Sequence, residues 1–112
     1  MITIYHNPRC SKSRLGLQFL TEKGINPNVV EYLDVPFTEK SLKELINKLQ
    51  IKPIDLIRKQ EDDFKPYKGK NMSDDELISL MVKYPKLIER PIVVNGNKAV
   101  IARPTENICN IL

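Results

Sequence analysis

An α/β fold with a mixed sheet is predicted by three observations on this 112-residue chain. Two β-branched and aromatic runs near the start are separated by a helical segment, so their strands need a crossover and pair in parallel. Two further β-rich runs near the end flank Asn95-Gly96-Asn97, a hairpin signal that makes that pair antiparallel. Between these halves the hydrophobic period is that of helices.

Each element has its own local reason. Ile2–His6 (ITIYH) has strand composition. A helix is predicted from Ser11 to Lys23, stopped by Gly24, which tolerates the left-handed position best. Its apolar residues Leu15, Leu17, Phe19 and Leu20 fit a helical period only loosely. Asn28–Leu33 (NVVEYL) reads as the second strand. Thr38 can cap a helix whose Leu42, Leu45, Ile46 and Leu49 form an i, i+3, i+4, i+7 stripe. Pro53 suits the first turn of a short helix, PIDLIRK. The polar run Gln60–Asn71, with its proline and glycine, reads as a loop. Ser73–Glu76 (SDDE) is a capping box ahead of Leu77, Leu80, Met81 and Tyr84. The strands PIVV and KAVIA then join through a predicted type I′ turn, and a final helix runs from Pro104 to about Leu112. The order β-α-β, helical insert, β-β-α is that of a thioredoxin/glutaredoxin-like fold: one domain over residues 1–112 with an insert at about 37–87.

Composition narrows the function classes. Hydrophobic residues make up 41% and charged residues 29%, which is globular rather than disordered composition. A net charge of +4 is too mild to point to nucleic acid over small anions. Apolar runs are only a few residues long, so no membrane span is expected. The chain enters a strand directly, without a basic-then-apolar leader, and Cys10 and Cys109 are far apart in sequence. Both features predict a reduced, cytoplasmic protein rather than a disulfide-stapled one.

The chemistry concentrates at Cys10. It lies between a strand end and a helix start, where unpaired backbone N–H groups and the positive end of the helix dipole favour a thiolate. The neighbouring cations Arg9 and Lys12 push the same way. The same donors can cradle an oxyanion, so the position suits a thiolate attacking an anionic substrate. Ser13 stands where a C-x-x-C redox pair would place its second cysteine. A single thiol must therefore be regenerated by an external one, a small thiol or a redox protein. The Ser13 hydroxyl either bonds the thiolate or substrate, or is a first-turn residue without a role. His6, the only histidine, either tunes Cys10 or holds the loop, and with no close cysteine pair no metal site is expected. Cys109, in NICNIL, reads as a packed structural thiol beside Ile108, Ile111 and Leu112.

Four blocks, YHNPRCSKSR, LIRK, RPIVV and ARPTE, resemble in order and spacing the arsenate reductase family that couples to glutathione and glutaredoxin. The resemblance spans about Ile2 to Leu112. It implies Cys10 as nucleophile, Arg58, Arg90 and Arg103 on the oxyanion, a role for His6 near the thiol, and a cis bond at Arg90-Pro91. It also implies arsenate as substrate, glutathione as co-substrate, glutaredoxin as partner, no bound cofactor, and a monomer. The arginines make chemical sense, because a tetrahedral dianion repels a thiolate until planar guanidinium groups neutralise it. The same fold and insert also resemble Spx-type transcriptional regulators that bind RNA polymerase, although those usually carry the C-x-x-C that Ser13 interrupts here. A general glutathione-linked thiol oxidoreductase is the third reading.

Overall fold

The structure, a computed structural model, describes residues 1–112 and divides into two compact units, residues 1–35 with 90–112, and residues 36–89. No helix is long and apolar enough to cross a membrane.

The first unit is a four-stranded mixed sheet in the order β2-β1-β3-β4, formed by β1 (Ile2–His6), β2 (Asn28–Glu31), β3 (Ile92–Asn95) and β4 (Lys98–Ile101). β1 pairs with β2 in parallel and with β3 antiparallel, and β4 is antiparallel to β3. The topology and its thioredoxin-like character match the sequence expectation. Ile4, Leu20, Val93, Ala102, Ile108 and Ile111 form the core between the sheet and the helical elements. The first helix, α1 (Ser11–Glu22), ends at Lys23 and Gly24, whose φ of 77° places it in the left-handed region.

In the second unit α2 (Glu39–Leu49) starts at Thr38, whose side chain accepts the Ser41 N–H. α3 (Asp74–Lys83) starts at Ser73, where the expected capping box with Glu76 is present. Of the predicted stripes, Leu42, Leu45 and Ile46 on α2 and Leu77, Leu80 and Met81 on α3 are buried, joined by Ile78, whereas the last members, Leu49 and Tyr84, are only half-buried. Ile57 and Ile88 meet in an antiparallel bridge, with the Arg58 N–H donating to Leu87 O and the Glu89 N–H to Leu56 O.

Four expectations need correction, and the loose apolar pattern of α1 resolves. β2 ends at Glu31 rather than Leu33, because the Asp34 and Val35 N–H groups turn back onto the Glu31 carbonyl. The expected loop Gln60–Asn71 contains a 3-10 helix, Asp62–Tyr67, held by the buried Phe64, the one large apolar side chain in a polar run. At the hairpin only Gly96 has a positive φ, so the turn cannot be type I′, which needs two such residues. Glycine at the first central position, with Asn95 paired to Lys98, fits type II′ instead. On α1 the inward face is Ser13, Gly16 and Leu20, while Leu15 is exposed. Finally, Cys109 is exposed. The last segment, Thr105–Ile111, is a 3-10 helix, and its period of three puts Ile108 and Ile111 inward and their neighbour Cys109 outward.

Candidate active site

The register of the sheet decides where chemistry can assemble. β1 ends at His6, and Tyr5 pairs with Ile92, so the start of β3 lies beside the end of β1. Ile92 pairs with Ile101, so β4 ends at the same edge. Arg90 precedes β3, Arg103 follows β4, and Cys10 follows β1. Three sequence-distant segments thus converge at one end of the sheet. The peptide bonds Arg90-Pro91 and Arg103-Pro104 are both cis, the first as the resemblance implied.

Cys10 is the N-cap residue of α1, with extended backbone (φ −96°, ψ 123°). Its N–H donates to Asn7 O at 3.0 Å and its carbonyl accepts the Arg14 N–H at 3.0 Å, which closes the loop onto the helix. Arg103 Nη2 donates to Cys10 Sγ across 3.6 Å, while Arg103 Nε donates to Arg90 O at 2.7 Å. One guanidinium therefore touches the thiol and is aimed by the backbone of the other arginine. Asn107 steadies this corner, its Nδ2 donating to the carbonyls of Ile101 and Arg103.

Burial of the sulfur alone would push the Cys10 thiol up from its ordinary value near 9. The Arg90 guanidinium and the backbone N–H groups of Ser13 and Lys12 outweigh that and bring it down to about 7. A substantial fraction is then thiolate at neutral pH, while the sulfur keeps enough basicity to remain a good nucleophile. The helix-start argument holds, but its cationic part does not. Arg90, from the start of the neighbouring strand β3, does what the adjacent Arg9 and Lys12 side chains were expected to do, and Lys12 acts through its backbone.

His6 and Ser13 are both buried and form one unit beneath the loop. Ser13 Oγ lies 2.6 Å from His6 Nδ1, with the donor set by the ring tautomer, and accepts the Asn7 N–H at 2.9 Å. The hydroxyl is thus engaged away from the sulfur, and only the Ser13 backbone N–H acts on Cys10. Burial lowers the His6 pKa; Glu31, its cross-strand partner, pulls it up, Arg14 lowers it and the Ser13 contact raises it, leaving it below the ordinary value. His6 is neutral at pH 7, a loop anchor rather than a charge beside the thiol.

Arg58 belongs to the second unit. Its guanidinium pairs with Glu61 at 2.5 Å and with Glu89 at 3.4 Å, all three side chains being largely buried. No group of three or more His, Cys, Asp or Glu side chains is placed to hold a metal ion.

Sequence reasoning missed Asn7, Asn107 and Gly16. Asn7 organises the loop three ways, by accepting the Arg9 N–H on Oδ1, accepting the Cys10 N–H on its carbonyl, and donating its own N–H to Ser13. A Cβ on Gly16 would lie 2.8 Å from Pro91 Cγ, so glycine lets α1 approach the Arg90-Pro91 corner. A glycine inside a helical pattern, at a cost of about 1 kcal/mol relative to alanine, was the available signal for such an approach.

Fold and site define a class: thioredoxin-like proteins in which a cysteine at a helix start faces arginines that β3 and β4 bring to the same end of the sheet. The pattern of the ArsC family matches residues 5–111, and the chain belongs to that family. It is 42% identical to the arsenate reductase of Neisseria meningitidis serogroup B, over 99% of this chain and 97% of that protein. It is 44% identical to the Escherichia coli K12 protein YfgD, itself uncharacterized, over 99% and 96%. Among solved structures, an arsenate reductase from Vibrio cholerae superposes with a TM-score of 0.94 at 40% identity, covering 99% of this chain and 97% of that one.

Proposed function

We propose that this protein reduces arsenate to arsenite, with Cys10 as its single nucleophile and glutathione and glutaredoxin as the source of electrons. The observation that carries the reading is the meeting of a thiol titrating at about 7 with Arg103 and Arg90 at the start of α1. Membership of the ArsC family, with relatives named arsenate reductase at about the same length, supports it.

The Cys10 thiolate attacks arsenic; an S–As bond forms, an As–O bond breaks, and the oxygen leaves as water with two protons taken up. Arg90 and Arg103 neutralise the dianion on approach and hold the oxygens as charge redistributes, which is where fixed donors help most. A glutathione thiolate then attacks the Cys10 sulfur. The S–As bonding pair passes to arsenic, which leaves as arsenite, and a mixed disulfide remains. A second thiol, delivered through glutaredoxin, breaks that disulfide and restores Cys10. Two thiols become one disulfide as arsenic gains two electrons, so the cycle balances. Arg58 enters as a third oxyanion ligand through the family resemblance rather than through geometry. A monomer in the cytoplasm, without a bound cofactor, completes the reading.

The deciding assay is arsenate-dependent oxidation of glutathione by the purified protein with glutaredoxin supplied. Cys10→Ser should abolish it, because a serine hydroxyl is scarcely ionised at neutral pH. Cys109→Ser should stay within a few-fold of the parent. No turnover by the parent protein would refute the arsenate assignment, and equal loss in both variants would mean that an internal disulfide takes part.

A further inference from the structure

A second concavity lies next to the thiol loop and plays no part in the oxyanion argument. It has a volume of about 320 Å³ and is lined by His6, Asn7, Pro8, Arg9, Glu31, Leu33 and Asp34. That is small-molecule size, at the lower end of the usual range. Its charges are mixed. Arg9 comes from the loop and immediately precedes Cys10. Glu31 is the last residue of β2 and Asp34 lies in the turn that follows, where the Asp34 and Val35 N–H groups both donate to the Glu31 carbonyl. None of these three side chains forms an ion pair within the protein. Leu33 and Pro8 add apolar surface.

Two carboxylates against one guanidinium make this cavity repel a dianion, so it is not a second oxyanion site. A ligand that carries an ammonium and a carboxylate on one end matches it, the ammonium toward Glu31 and Asp34 and the carboxylate toward Arg9. The reaction also needs a thiol from outside the chain, because the Ser13 position holds no sulfur. We propose that this cavity binds the amino-acid end of a small zwitterionic thiol, whose sulfur is thereby held near Cys10. The inference rests on the reading of Cys10 as a nucleophile regenerated by an external thiol.

The test uses S-methylglutathione, which keeps the zwitterionic end but cannot react, titrated into isotope-labelled protein by NMR. Amide shifts should concentrate in residues 6–9 and 31–34. N-acetylation of the ligand, which removes the ammonium, should weaken binding about fivefold, the scale of exposed charge pairs. In the Glu31→Gln/Asp34→Asn double variant the two ligands should bind alike, whereas Arg9→Gln should weaken both and keep the discrimination. Absence of shifts, shifts elsewhere, or an equal penalty for N-acetylation in the double variant would overturn the proposal. The arsenate assay separates this from the parent reading. Turnover without shifts in this cavity refutes the cavity and leaves arsenate reduction standing. Discriminating binding without turnover supports the cavity and refutes arsenate reduction.

Discussion

At the residue scale, the thiol is governed by arginines that differ in task. Arg103 touches the sulfur, and Arg90 supplies the main lowering of its pKa while its carbonyl orients Arg103. If Arg90 acts on arsenate as a two-pronged clamp, lysine cannot replace its parallel N–H donors. Arg90→Lys should therefore lose about 10- to 1000-fold in kcat/KM for arsenate, on the order of 1.4 to 4 kcal/mol of transition-state stabilisation. Alkylation of Cys10 by neutral iodoacetamide separates charge from geometry. In the parent protein its rate should rise with pH through a midpoint near 7. In Arg90→Lys the midpoint should move little, and in Arg90→Gln it should move clearly upward; full arsenate activity in the lysine variant would remove Arg90 from the clamp. Ser13 carries a different burden, since removing its hydroxyl strands the Asn7 N–H and the His6 ring nitrogen in a buried place. Ser13→Ala should cost about 1–3 kcal/mol, read as a lower urea midpoint. A variant as stable as the parent would show that the loop is held by other contacts.

At the element scale, α1 is built to come close. Its inward face of Ser13, Gly16 and Leu20 lets the helix start sit against Pro91, and this contact sets the position of the thiol relative to Arg90. Gly16→Ala tests this through opposing terms. Alanine favours the helix by about 1 kcal/mol, while forcing a methyl against the ring of a buried proline costs roughly 1–3 kcal/mol. With a 2.8 Å approach to a ring carbon, the steric term should win, for a net loss of up to about 2 kcal/mol in denaturant unfolding. Arsenate reduction should fall further than global stability accounts for, because the displaced corner carries Arg90. A stabilised, fully active Gly16→Ala would show that the two elements have slack.

At the scale of the whole molecule, pH should act through three separable windows. Cys10 titrates in the folded state at about 7, below its ordinary 9, so its contribution is fully present above pH 9 and is lost as pH falls through 7. Cys10→Ser should flatten that part of the stability profile. His6 titrates below its ordinary 6.5, so the unfolded chain takes up the proton first, and stability falls as pH drops below 6.5. The carboxylates with lowered pKa, Asp62 and Glu76, act only in a more acidic window, below ordinary values of 3.8 and 4.5. Urea midpoints should therefore slope downward as pH falls below 6.5, and His6→Asn should remove that slope. An unchanged slope in the variant would assign it to other groups.

Local physics sufficed for much of this protein. Strand composition, the Thr38 and Ser73 caps, Gly24 and the helical stripes act within a turn or a strand, so the order of elements was legible in the chain. So was the thiol at a helix start, since strand, turn and helix there are neighbours in sequence. Serine at position 13 likewise announced that the helix start carries no C-x-x-C pair. Tertiary structure decided the rest, because the deciding contacts join residues far apart in sequence. Which cations meet Cys10 depended on β1–β3–β4 register, which brings Arg90 to lower its pKa and Arg103 to touch its sulfur, rather than the adjacent Arg9 and Lys12 side chains. Whether Ser13 faced the sulfur or His6 depended on how α1 is turned against the sheet. Cys109 turned outward because Ile108 and Ile111 take the face of its segment that packs on the sheet, a choice between faces that one short apolar pattern does not encode.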